Sequence, residues 1–187
     1  MSDCAEIFTD IYDRKVWGDG SGGGTADLVA GPFGVVVRHV INRFELNTVV
    51  DVGCGDGCSA LYWRTPEINY IGVDVVPEMV DYCRERHPDY YFVCMDSTRD
   101  LPAGDLAVCK EMTQHLGDDD LRALLERLKK FPLVLHCSTL IPGDAVPYTG
   151  GCRPVVLSQP PWNLPAERLL EWSFADGRWH AELWRPR

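Results

Sequence analysis

Hydrophobic positions along this chain follow two periods, and the strand-like one is the clearer. A β-branched run, Val49-Val50-Asp51-Val52, stops in Gly53-Cys54-Gly55-Asp56-Gly57. The run predicts a buried strand. The glycines predict a sharp turn, because a residue without Cβ lets the backbone bend and lie close to a ligand. The turn is expected to lead into a helix whose N–H groups face an anion. Further apolar strands are expected at residues 69–76 and 90–97, carrying Asp74 and Asp96 towards their ends, and at 105–110 and 131–139. Residues 77–87 read as a helix beginning on Pro77. Residues 121–130 read as another, with Asp118, Asp119 and Asp120 capping its start.

The flanks add three features. A short helix is expected at residues 4–13 and a second at 32–44, where Phe33, Val36, Val37, Val40 and Ile41 form one stripe. The glycine-rich residues 17–25 between them read as flexible. Residues 140–165 are rich in proline and read as a long loop, a feature usually tied to function. Residues 169–174 and 179–184 alternate around Asp176-Gly177, a strong hairpin signal. Strands alternating with helices and closed by a hairpin describe an α/β fold with a mixed sheet and helices on both faces. One domain over residues 1–187 is expected. It divides into an N-terminal helix and glycine-rich lid (1–31), a βα core (32–139) and a proline-rich loop with closing hairpin (140–187).

Composition narrows the classes. At 187 residues the chain suits one core. No apolar stretch reaches the length of a membrane span, and the first residues have no basic or apolar leader pattern, so a cytoplasmic protein is expected. None of the eight cysteines forms a C-x-x-C pair. They read as buried reduced thiols, with Cys54, Cys94, Cys109 and Cys137 assigned to strands, and not as a disulfide frame or zinc site. A net charge of −10 disfavours a long nucleic-acid partner. The cations Arg122, Arg127, Lys129 and Lys130 read as a solvated helix face.

The candidate chemistry lies at the strand ends. Asp74 stands where a carboxylate accepts ribose hydroxyls, and Asp96 where one accepts an adenine amino group, with Met95 and Ser97 beside the ring. A dinucleotide fingerprint would place its third glycine at position 58, which is Cys58. The pattern present, D-x-G-x-G-x-G over Asp51 to Gly57, resembles motif I of the class I S-adenosylmethionine-dependent methyltransferases. More of the chain resembles a group of small bacterial and viral members. Ile11-Tyr12, Trp17-Gly18 and Ser21 to Thr25 are similar to its IY…WG…SGxGS signature. Lys110-Glu111-Met112-Thr113-Gln114-His115 is similar to its post-fourth-strand motif, with Glu111 in place of the usual Asp. Gly150 to Pro154 and Pro160-Pro161-Trp162-Asn163 are similar to its late loop.

The resemblance implies a Rossmann-like seven-stranded sheet in the order 3-2-1-4-5-7-6 and S-adenosylmethionine as cofactor. It implies cofactor contacts from Tyr12, Trp17, Asp51, Gly53, Cys54, Gly55, Asp74, Val75, Asp96, Ser97 and Lys110. Acceptor-side chemistry is expected from His115 as a base, from Lys110 and Glu111 leaving the fourth strand, and from Arg153 as a clamp for an anionic acceptor. Gly20 to Gly24 is expected to act as a mobile lid. The expected acceptor is a small molecule, sugar or peptide with an oxygen or nitrogen nucleophile, methylated without a metal. Asp118-Asp119-Asp120 is read as a helix start, and Gln159-Pro160-Pro161-Trp162 as a stiff loop. A non-catalytic nucleoside-binding module and, less favoured, an NAD(P)-dependent oxidoreductase are the alternatives.

Overall fold

The computed structural model describes residues 3–140 and 148–186. Residues 141–147 of the proline-rich stretch and the two N-terminal residues considered for a leader lie outside the described residues. Helices α1 (Cys4–Asp13) and α2 (Asp27–Phe44) lead into β1 (Thr48–Val52) and β2 (Asn69–Asp74). Then follow α3 (Pro77–Arg86), β3 (Tyr91–Cys94), β4 (Leu106–Lys110), α4 (Asp118–Leu128) and β5 (Leu133–Thr139). The hairpin β6 (Ala166–Phe174) and β7 (Gly177–Trp184) closes the sheet. The strand order is β3-β2-β1-β4-β5-β7-β6, as expected. β3, β2, β1, β4 and β5 run parallel, and β7 pairs antiparallel with both β5 and β6.

Side chains alternate between the two sheet faces. Val49, Leu106, Val108, Leu133, Leu135 and Cys137 join Phe33, Val37, Val40 and Ile41 of α2 and Val80 and Cys83 of α3 in one core. Val50, Val52, Ala107, Cys109 and Val134 join Leu121, Leu124, Leu125 and Leu128 of α4 in the other, with Val155 and Leu157 of the late loop. Burial on both faces explains why β4 and β5 read as continuous apolar runs.

Several expectations are corrected. The glycine turn leads into only a 3₁₀ turn, Ser59–Tyr62, not an α-helix. Pro66 stands four residues beyond, and Thr65 before it is pushed out of the helical region, so no full helix fits. No helix joins β3 to β4 either. α2 begins at Asp27, so a boundary after residue 31 falls inside it, and Pro32 sits in its second turn. Only the Leu28 carbonyl loses its intrahelical donor there. The glycine-rich stretch is folded, with a 3₁₀ turn at Gly23–Thr25. All eight cysteines are free, but Cys94 and Cys152 are exposed, and Cys54 lies in the turn after β1.

Candidate active site

The C-terminal ends of the parallel strands open onto one cavity. Open α/β sheets bind ligands in this crevice. Gly53, Cys54 and Gly55 form its floor, and Asp51, Asp74 and Val75, Asp96 and Ser97, and Lys110 enter from the ends of β1, β2, β3 and β4. Tyr12 and Trp17 enter from above. All eleven residues expected to contact a cofactor therefore share one wall.

The glycines are required here for space. Gly53 has φ +70°, and a Cβ on it would lie 2.8 Å from Met112 Cβ. Gly55 has φ +53°, and a Cβ there would lie 2.3 Å from Ser21 Oγ. The backbone they free is held by Asp74, whose Oδ2 accepts from Gly55 N at 2.8 Å and whose Oδ1 accepts from Val76 N at 3.1 Å. Burial raises the Asp74 pKa, and these amides oppose the rise. Asp96 Oδ1 accepts from Thr98 N at 2.9 Å and from Thr98 Oγ1 at 2.7 Å, and Oδ2 lies 3.2 Å from Arg99 Nε.

Asp51 is buried and accepts from Tyr70 Oη at 2.9 Å. Burial pushes its carboxyl up to about 6, against the pull of Tyr70 and Lys110. Lys110 donates to the Gly24 carbonyl, so the end of β4 holds the glycine-rich segment down. A second latch joins that segment to the β1 turn. Ser21 Oγ accepts from Asp56 N at 2.8 Å, and Asp56 Oδ2 accepts from Ser21 N at 3.2 Å. Tyr12 Oη meets Ser21 Oγ at 3.0 Å. Tyr12 also packs edge-on against Trp17, with ring centroids 5.4 Å apart.

Beyond β4 the wall changes character. Glu111 occupies the left-handed region at φ 56°, a strained position for a residue with a side chain. Its Oε2 accepts from Trp179 Nε1 at 3.2 Å, while Oε1 is buried without a hydrogen-bond partner. Burial raises its pKa, and Lys110 is the main opposing charge. His115 Nδ1 faces the Gly151 carbonyl at 2.7 Å. A carbonyl only accepts, so Nδ1 carries the proton and Nε2 keeps its lone pair, with the Gln114 amide nitrogen 3.5 Å away. Burial lowers the His115 pKa, and Trp17 covers the ring at a centroid distance of 4.8 Å. The charged side chains lining the cavity are thus Asp51, Asp74, Asp96 and Glu111 against Lys110.

Arg153 does not join this wall. It pairs with Asp118 at 2.6 Å and donates to the Leu116 carbonyl at 3.3 Å, fastening the late loop to the start of α4. Asp120 bonds Thr149 of the same loop. Sequence reasoning missed Cys4 and Phe8 in the lining. The one signal for Cys4 and Phe8 is the amphipathic pattern of α1.

Residues 49–131 match the family described as "Methyltransferase domain". The trans-aconitate 2-methyltransferase of Methylobacterium radiotolerans is 33% identical over 143 residues, spanning 73% of this chain and 47% of that protein. Over residues 49–131 the chain is thus similar to methyltransferase domains, and its fold is that of neighbours holding S-adenosylmethionine or S-adenosylhomocysteine. The malonyl-[acyl-carrier protein] O-methyltransferase of Salmonella typhimurium is 27% identical over 145 residues, or 76% of this chain and 50% of that one. The chain spans about half the length of the curated relatives it matches. The fold extends further. Magnesium protoporphyrin IX methyltransferase from Synechocystis with bound S-adenosylmethionine superposes with a TM-score of 0.64 at 15% identity, covering 98% of both chains. The N-methyltransferase NodS from Bradyrhizobium japonicum with S-adenosylhomocysteine gives 0.65 at 12%, covering 96% of this chain and 98% of that one. Among the described residues, no helix is long and apolar enough to cross a membrane.

Proposed function

We propose that this chain transfers the methyl group of S-adenosylmethionine to an oxygen or nitrogen of a small or medium acceptor, with no metal in the transfer step. The observation that carries this reading is the single cavity in which Asp74 and Asp96 face the glycine turn while Glu111 and His115 stand beyond β4. The cofactor supplies an electrophilic methyl on a sulfonium. The chain's task is to hold a nucleophile in line with it and to take the acceptor's proton.

Asp74 holds the ribose and Asp96 with Ser97 the adenine. Asp51, Gly53, Cys54, Gly55, Val75 and Lys110 enclose the rest of the cofactor, and Tyr12 and Trp17 close over it. His115 is the base: burial favours its neutral form, and its Nε2 lone pair, which faces the Gln114 amide, accepts the proton. Glu111 Oε1 orients the acceptor. The three acids at the start of α4 serve as cap and loop anchor, since Asp118 holds Arg153 and Asp120 bonds Thr149. With Arg153 so engaged, an acceptor group of concentrated negative charge is disfavoured beside Glu111. The signatures at Ile11 to Thr25 and Lys110 to His115 support placing the chain in the small bacterial and viral group.

The test is incubation of the protein with methyl-labelled S-adenosylmethionine and fractionated cell extract, followed by mass spectrometry. S-adenosylhomocysteine together with one labelled product is the expected outcome. Cofactor binding without S-adenosylhomocysteine in any fraction would reduce the chain to a nucleoside-binding module.

A further inference from the structure

A second cluster of polar side chains lies inside the sheet, outside the cavity. His136 is on β5, and its register partner on β7 is Glu182, while His180 faces Ser138 two residues along. Period-two alternation puts all three side chains on one sheet face. Their exposures are 1%, 0% and 0%. Glu182 Oε2 lies 3.4 Å from His180 Nε2 and 3.8 Å from His136 Nδ1, and the three donor atoms sit within 4.8 Å of one another.

Two features of this cluster need an explanation. The first is hydrogen bonding. His136 Nδ1 and both ring nitrogens of His180 are buried with no hydrogen-bond partner. Two of these atoms, His136 Nδ1 and His180 Nε2, turn towards Glu182, and each costs about 1–3 kcal/mol unless something occupies the point between them. The second is charge. Among the described residues, the ion-pair partners of the Glu182 carboxylate are these two imidazoles, with no Lys or Arg. A buried carboxylate with no Lys or Arg beside it leaves room for another source of positive charge.

We propose that His136, His180 and Glu182 form a structural site for a divalent transition-metal ion of the zinc class, set between β5 and β7. Two imidazoles and a carboxylate are a donor set such an ion accepts. Bonds of about 2.0–2.2 Å at tetrahedral angles hold neighbouring donors about 3.3–3.6 Å apart. The 3.4 Å spacing agrees, and the 3.8 Å spacing closes by a small shift. The outer shell is already built. His136 Nε2 meets Thr113 Oγ1 at 2.7 Å, which fixes the ring and leaves Nδ1 for the metal. Glu182 Oε2 accepts from Leu157 N at 2.7 Å, and Oε1 accepts from Ser158 Oγ. The ion would join β5, the closing hairpin, the late loop and the turn after β4. None of its ligands lines the methyl-transfer cavity, so the site stands apart from the proposed reaction.

The test uses the full chain, expressed and refolded with zinc or cobalt, beside a His136→Gln/His180→Gln double variant. About one metal ion per wild-type chain is expected, lost in the variant, with chelation lowering the melting temperature of wild type alone. The cobalt form of the wild type should show visible bands of tetrahedral nitrogen and oxygen ligation without thiolate charge transfer, a readout that does not depend on the variant folding. Three results would each overturn the proposal: no stoichiometric metal in the refolded wild type, equal metal in both proteins, or a thiolate spectrum, which would place the ion on cysteine sulfur such as the exposed Cys94 or Cys152.

Discussion

Ser21 and Asp56 grip each other through two reciprocal hydrogen bonds, with Asp56 N donating to Ser21 Oγ at 2.8 Å and Ser21 N donating to Asp56 Oδ2 at 3.2 Å. The pair couples the glycine-rich segment to the turn that forms the cavity floor. Ser21→Ala removes one bond and the Tyr12 contact, and should weaken S-adenosylmethionine binding by about 1 kcal/mol, roughly fivefold, by calorimetry. The fold should remain, and limited proteolysis between residues 18 and 24 should speed up. An unchanged affinity would show that closure of this segment is not linked to binding.

Asp74 does two things at once, since it anchors Gly55 and Val76 and faces the cavity. Asp74→Asn turns one of the two accepting oxygens into an NH2 donor, which faces a backbone N–H that now donates to it. Cofactor affinity should fall by about 2–3 kcal/mol, or roughly 30- to 150-fold. Retention of native affinity would refute the ribose role.

Asp51 predicts a pH dependence. Its carboxyl titrates near 6 in the free protein, chiefly through burial. A cationic cofactor prefers the ionised form, so affinity should rise from pH 5, where binding is about tenfold weaker, to a plateau above pH 7. Asp51→Asn should abolish the slope. For the free protein the sign reverses. The folded state keeps this proton longer than the unfolded chain does, so the stabilisation is complete below about pH 4 and is lost as pH rises through 6. Calorimetry and thermal melts across this range separate the two effects.

Two glycines of α2 make a matched pair. A Cβ on Gly34 would lie 2.5 Å from Tyr62 Cβ, whereas one on Gly31 would meet only the Tyr62 ring at 3.8 Å. Gly31→Ala should therefore stabilise by about 0.5–1 kcal/mol through helix propensity. Gly34→Ala should destabilise by about 1–3 kcal/mol, because α2 must move off the 3₁₀ turn. Denaturant titration of both variants checks the contrast, and equal effects would refute the close packing.

The strand skeleton was legible because burial on both faces writes β1, β4 and β5 as apolar runs, and Asp176-Gly177 marks the hairpin. The residues of the cavity wall could be grouped in advance because they gather at strand ends, whose order follows from the chain. The helix after Gly57 was misread because Ala60-Leu61-Tyr62-Trp63 carries apolar residues at helical density, and Pro66 stops the turn from extending. The latch was not legible because Ser21 and Asp56 are brought together by tertiary folding across 35 residues. Arg153 was misassigned because a cation in a loop announces a charge but not its partner, which is Asp118. The His136, His180 and Glu182 cluster was missed because its members lie on two strands whose antiparallel register is set only in the folded sheet.

The acid-rich cavity wall has one further consequence. Four carboxylates against a single ammonium favour a positively charged occupant, and no α-helix N-terminus lies after β1 to offset them. Donation of the methyl turns a sulfonium into an uncharged thioether, so the occupant loses its attraction to the wall at the moment it is spent. Exhausted cofactor is thereby disfavoured relative to fresh, and the same acids that gather the methyl donor also drive its exchange.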